Sequence, residues 1–195
     1  MPIDKDFLGY LSLVVAFASY IPYVVSTIRG HTKPHVFSWI IWGLVTAIVF
    51  VAQTTENAGP GGWATGFSAF FLLLIAALGF HYGEKQRTRG DWIAFLATLS
   101  AIPLWYVTKN PLWSVLLVTT IDVVAYYPTL RKSWHKPKEE MALKYILTAV
   151  KYCASLMALQ HYSLITVVYP LASLVMELAV IILLFLRRRQ LRAVI

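Results

Sequence analysis

Three ionisable residues stand inside otherwise apolar runs of this chain: Asp122, Lys151 and Glu177. A charge at the centre of a membrane helix costs about 2.5–3.5 kcal/mol on insertion scales, so each is expected to face protein and find a partner there. Helical spacing gives each one polar company. Thr119, Asp122, Tyr126 and Thr129 share one face, as do Lys144, Thr148, Lys151 and Ser155, and then Thr166, Pro170, Ser173 and Glu177. Two chemistries fit three such stripes on consecutive helices. Lys151 can neutralise Asp122 or Glu177 as a static buried pair, or one carboxylate can exchange a proton in a cavity the helices share. A second set of candidates carries no charge. Ala16, Tyr20, Tyr23 and Thr27 form one stripe, and Ser38, Trp42, Thr46 and Gln53 another. Aromatic faces with a few hydroxyl and amide groups suit a flat or polar organic solute, held by stacking and hydrogen bonds. The expected solute-binding residues are therefore Tyr20, Trp42, Thr46, Gln53, Tyr126, Thr148 and Ser173. Trp39 reads as an anchor at the membrane boundary, and Trp42, one turn deeper, reads equally as anchor or site residue.

The elements that must position these groups are apolar helices. Of the 195 residues, 58% are hydrophobic and only 13% charged, a balance that belongs to membrane proteins. A bilayer core about 30 Å thick takes roughly 20 apolar residues per helix. Seven stretches approach that length: 7–28, 36–54, 63–82, 92–108, 111–130, 141–159 and 162–186, of which the fourth is the shortest. The opening MPIDKD is acidic, and no small-residue cleavage site follows a short apolar core, which argues against a removable signal peptide. The single cysteine, Cys153, cannot form an internal disulfide and reads as a free buried thiol.

Thirteen basic residues fall in the loops after the first, third and fifth stretches and in the tail after the seventh, against two, Lys5 and Lys109, at the opposite ends. Because positive loops stay cytoplasmic, the N-terminus is expected outside and the C-terminus inside, in a plasma membrane, bacterial or otherwise. The same bias accounts for the net charge of +8, so lipid headgroups rather than nucleic acid are the expected partner of the basic face.

A duplication is legible as well. Tyr20-Ile21-Pro22 matches Tyr126-Tyr127-Pro128 at an offset of 106, Lys33-Pro34 matches Lys136-Pro137 at 103, and the residues around Thr46 match those around Thr148 at 102. Three crossings reverse the side of the chain, so a second copy in the same orientation needs one more crossing between them. The expected fold is thus all-α, with seven transmembrane helices as 3+1+3: residues 1–90 form a first repeat, 91–110 a linking helix, and 111–195 a second repeat with a basic tail. Proline inside a helix deletes an i to i−4 hydrogen bond and clashes with the preceding turn. Pro22 and Pro128 are then paired weak points, placed to act as hinges.

In these Pro-centred segments and in topology the chain resembles the PQ-loop superfamily, which includes the SWEET sugar facilitators, the lysosomal amino-acid exporters and the KDEL receptors. Tyr23 and Thr129 stand where the signature glutamine follows each proline. The run SWIIW, 38–42, replaces a further helix proline, and neither the third nor the seventh stretch contains the asparagine that holds sugar in the facilitators. The resemblance implies a carrier of a small polar solute such as a sugar or amino acid, by alternating access and with possible proton coupling. It also implies an alternative, a seven-helix receptor or sorting protein of the KDEL-receptor kind.

Other chemistries find no support in the residues. His31, His35, His81, His135 and His161 are spread over both faces, so they make no common metal site. No G-x-S-x-G, H-E-x-x-H or glycine-rich nucleotide loop occurs, and NAGPGGW, 57–63, reads as a tight extracellular turn. A retinal-binding photoreceptor would carry its lysine in the last helix, where this chain has Glu177. Neither an enzyme activity nor a cofactor is expected.

Overall fold

A computed structural model describes residues 4–30, 36–82, 89–126, 130, 133–135, 137 and 142–193; the side chains of 37, 38, 90, 91, 94, 192 and 193 lie outside that description. Eight α-helices are bounded among the described residues: α1 (Lys5–Ile28), α2 (Val36–Thr55), α3 (Trp63–Tyr82), α4 (Arg89–Leu99), α5 (Ala101–Thr108), α6 (Pro111–Ala125), α7 (Ala142–Met157) and α8 (Leu164–Ala193), with a short 3-10 turn at Gly59–Gly62; residues 130 and 133–135 are helical as well. Three segments are long and apolar enough to cross a membrane: α1, the turn with α3, and α8 as far as Leu191. Shorter apolar helices run over Trp39–Thr55, Phe95–Thr108 and Pro111–Ala125. Large apolar side chains also point outward, from Phe7, Val14 and Phe17 on α1 to Ile93 and Tyr106, the last 84% exposed. Such surfaces are stable only against hydrocarbon.

The boundaries follow local chemistry. Asp4 caps α1, its carboxylate accepting from the Asp6 backbone N–H at 2.9 Å. Asn110 caps α6 in the same way through Leu112, with Pro111 as the first helical residue. The expected fourth span, 92–108, has a one-residue step at Ser100, between α4 and α5, although Ser100 keeps helical dihedrals and the apolar helix runs over Phe95–Thr108. Pro103 is the cause: it has no N–H to donate to the Leu99 carbonyl, while Ser100 to Leu96 and Leu104 to Ser100 stay bonded at 3.0 and 3.1 Å on either side. Of the fifth stretch, expected to reach 130, α6 takes in Pro111–Ala125; the Tyr126 N–H then turns back to Val123 at 3.1 Å, and Leu130, the next described residue, is helical with its N–H on the Tyr126 carbonyl at 2.9 Å. Helix α8 runs past the expected 186 through the arginines to Ala193. At 1.5 Å per residue it is about 45 Å long, so its basic end stands clear of a bilayer core. Cys153, expected buried, lies exposed on α7.

Helix α3 packs on both α1 and α2, and α8 on both α6 and α7; α1 further packs on α7, and α2 on α6. The apolar core follows α2, whose Ile41, Val45, Ile48 and Val49 meet Val118 of α6, Tyr152 of α7 and Tyr169 of α8. Between α2 and α3 the approach is close: a Cβ on Gly43 would lie 2.5 Å from Leu73, and one on Gly66 2.7 Å from the Phe50 ring. Small residues at such seams bring helices into van der Waals contact, which drives association where lipid is as apolar as the protein.

Candidate functional site

Lys151 sits on the inner face of α7, 4% exposed, with Ser155 buried one turn on and Lys144 exposed toward the start of the helix, because the outer face of α7 is apolar. Its ammonium donates a long 3.4 Å bond to the Ser68 hydroxyl of α3 and lies 4.0 Å from the Tyr152 ring centre. The Tyr20 hydroxyl of α1 lies beside the same Ser68, and its ring stacks on Phe71 with centres 5.8 Å apart. On the opposite wall Glu177 of α8 is 5% exposed; one carboxylate oxygen accepts from the Tyr126 hydroxyl at 2.9 Å and the other, Oε2, has no partner. Asp122, half-buried on α6, makes no hydrogen bond among the described residues, and its charged neighbours are Glu177 and Lys151.

The three charges are therefore gathered into one region, and among the described residues no ammonium-to-carboxylate ion pair joins them. Lys151 forms the positive pole, beside α3; Asp122 and Glu177 form the negative pole, on α6 and α8. One turn from Glu177, the Ser173 hydroxyl is buried without a partner, and so is the Thr119 hydroxyl on the Asp122 face of α6. A buried polar atom left unbonded costs about 1–3 kcal/mol, and three of them lie on these two facing helices, with Thr27, Gln53 Oε1 and Ser133 the others among the described residues.

The uncharged candidates divide. Thr46 belongs to the region: its hydroxyl bonds the Trp42 carbonyl at 2.8 Å and meets the Tyr169 hydroxyl at 3.4 Å, which in turn receives Tyr152 at 3.5 Å. Trp42 is half-buried and packs edge-on against Trp39 at 5.6 Å, while Trp39 packs on Tyr23 at 4.7 Å. The Thr148 hydroxyl turns back to the Lys144 carbonyl of its own helix at 3.0 Å. Gln53 lies at the far end of α2, where its amide donates to the Thr166 carbonyl at 3.1 Å. Thr166 itself is occupied at the start of α8, bonding His161 and Ser163. Pro22 is inside a continuous α1 and exposed. Pro128, Thr129, Tyr127, the Lys33-Pro34 loop and the side chain of Ser38 lie outside the described residues.

Three contributors were not among the expected residues: Ser68, Tyr152 and Tyr169. Tyr169 carries a signal, since 169, 173 and 177 recur every four residues on the stripe assigned to Ser173 and Glu177. Tyr152 follows Thr148 by four in the same manner. Ser68, with Thr65 one turn before it, is the one polar line in an otherwise apolar α3. Comparison with protein-family models, with curated proteins and with solved structures returned no match.

Proposed function

We propose that the chain is a membrane carrier for a small polar solute, built as two parallel three-helix halves, 1–90 and 111–195, joined by the crossing 91–110, and working by alternating access. The observation that carries this reading is the region between the halves, where Lys151, Asp122 and Glu177 are enclosed without pairing and Ser173, Thr119 and Glu177 keep unbonded oxygens. A solute offering hydrogen-bond donors and acceptors would satisfy them, and Tyr20, Tyr152, Tyr169 and Trp42 offer ring faces for its body.

Helix neighbours support the repeat. In each half the third helix lies between the first two, and the contacts across the seam, α1 with α7 and α2 with α6, exchange under a half-turn about the membrane normal. The tyrosine before each paired proline meets a polar residue of the third helix of its own half, Tyr20 beside Ser68 and Tyr126 bonded to Glu177. The different surroundings of the two acids support a proton as co-substrate. Asp122 makes no hydrogen bond among the described residues and has Glu177 and Lys151 as its charged neighbours, whereas Glu177 has the Tyr126 hydroxyl and both Lys144 and Lys151, so a proton taken up on Asp122 leaves Glu177 as the acid facing the lysines. The orientation with the N-terminus outside rests on the distribution of basic residues.

The test is solute flux into proteoliposomes, with solutes first chosen by thermal stabilisation against sugars, amino acids, vitamins and nucleosides. Saturable uptake, accelerated by an inward proton gradient, is the expected result. Tight binding with no flux for any stabilising solute would replace the carrier with a receptor of the KDEL-receptor kind.

A further inference from the structure

We propose that the turn Gly59–Gly62 is a clasp that shuts one end of the molecule, the extracellular one in the orientation given above, by gripping the end of α7. Its use in gating rests on the carrier reading. Its existence rests on contacts alone.

Four hydrogen bonds gather at this end, and each joins a residue of the first half to one of the second. The Gln160 N–H donates to the Ala58 carbonyl at 3.0 Å, the Ser155 hydroxyl to the Gly61 carbonyl, the Gln53 amide to the Thr166 carbonyl at 3.1 Å, and the Lys5 ammonium to the Leu159 carbonyl at 2.6 Å. Toward the basic end, the described bonds of Tyr126 to Glu177, Arg187 to Trp134 and Arg188 to Pro137 stay within the second half. Turns normally lie on the surface because their backbone groups need water. Here Ala58, Pro60, Gly61 and Gly62 are buried, and their carbonyls at Gly61 and Ala58 are satisfied by Ser155 of α7 and by Gln160 just beyond it instead. If the halves part, water can take the place of these donors at both carbonyls, so the bonds hold the end shut while leaving an open state accessible.

The glycines make the grip possible. A Cβ on Gly61 would lie 2.7 Å from the Leu159 nitrogen and 2.7 Å from the Ser155 carbonyl oxygen, backbone atoms of α7 and its end that no side-chain rotation can move aside. A Cβ on Gly62, the next residue, would find its nearest neighbour at 3.6 Å, an ordinary contact. One methyl group at Gly61 must therefore wedge the turn away from α7, and the same methyl at Gly62 must not.

The reporter is Ala52, fully buried where α2 meets Val115 of α6 and Ile165 of α8. In a Cys153→Ser background, Ala52→Cys is alkylated by a polar maleimide in nanodiscs, where both faces meet the reagent. Adding Gly61→Ala should speed alkylation by about an order of magnitude, and Ser155→Ala, which removes one clasp bond without adding bulk, by about three- to tenfold. Gly62→Ala should leave the rate unchanged. Equal rates for folded Gly61→Ala and Gly62→Ala would overturn the clasp, and so would an unchanged rate in Ser155→Ala should Gly61→Ala fail to fold. Faster alkylation in a protein that moves no solute in liposomes would keep the clasp and remove the carrier reading.

Discussion

At the scale of single residues, the division between Asp122 and Glu177 is the informative contrast. Glu177 has a tyrosine donor, whereas Asp122 has no hydrogen bond among the described residues and lies one turn before Tyr126 on the way to Pro128. Asp122→Asn is therefore expected to leave folded protein that binds or exchanges solute and loses proton-driven uptake, measured as flux with and without an imposed gradient. Glu177→Gln leaves Lys151 to a single acid and weakens the Tyr126 bond, so its first effect should be a smaller yield of folded protein. Tyr126→Phe isolates that bond. A hydrogen bond to a carboxylate contributes about 1.5–3 kcal/mol, and denaturant or thermal unfolding in detergent should register a loss of that size. An unchanged midpoint would mean that water replaces the tyrosine and that this wall is wet.

Among the elements, the prolines separate into kinds. Pro103 marks a one-residue step at Ser100 between α4 and α5, with the bonds on either side kept, while Pro22 lies in a helix without a step, leaving the Ala18 carbonyl without its usual donor. A helix that stays folded yet lacks one bond bends at that level more easily than elsewhere. Pro22→Ala together with Pro128→Ala should preserve folding and slow exchange between the two open states, read as a slower approach to equilibrium in solute counterflow. Transport at the parental rate would assign both prolines to packing. The positions of the helices were legible from apolar length alone, because a lipid-spanning run has few alternatives. Their ends were less so: α8 continues into its arginines because nothing in that sequence stops a helix, and a basic last turn suits the negative end of the helix dipole.

For the whole molecule, topology is the property to test. Single cysteines at Asn57 and Gln86 should be labelled from opposite sides of the membrane by an impermeant thiol reagent, with Cys153 replaced by serine. Labelling of both from one side would remove the 3+1+3 arrangement and the parallel repeat with it. By itself the sequence determined that the chain is helical and lipid-embedded, since 58% hydrophobic content with widely spaced charges leaves no soluble core to build. It also determined that Asp122, Lys151 and Glu177 face protein, because period and desolvation act within a single helix and need no knowledge of its neighbours. Which helices are neighbours was decided by tertiary packing, through glycine seams and side-chain shape that no periodicity encodes. Packing therefore sent Gln53 and Ser155 to the clasp, drew Ser68, Tyr152 and Tyr169 in around the charges, and kept Lys151 apart from both acids. Distances between residues a hundred positions apart depend on how whole helices settle against one another, and that is a property of the folded assembly alone.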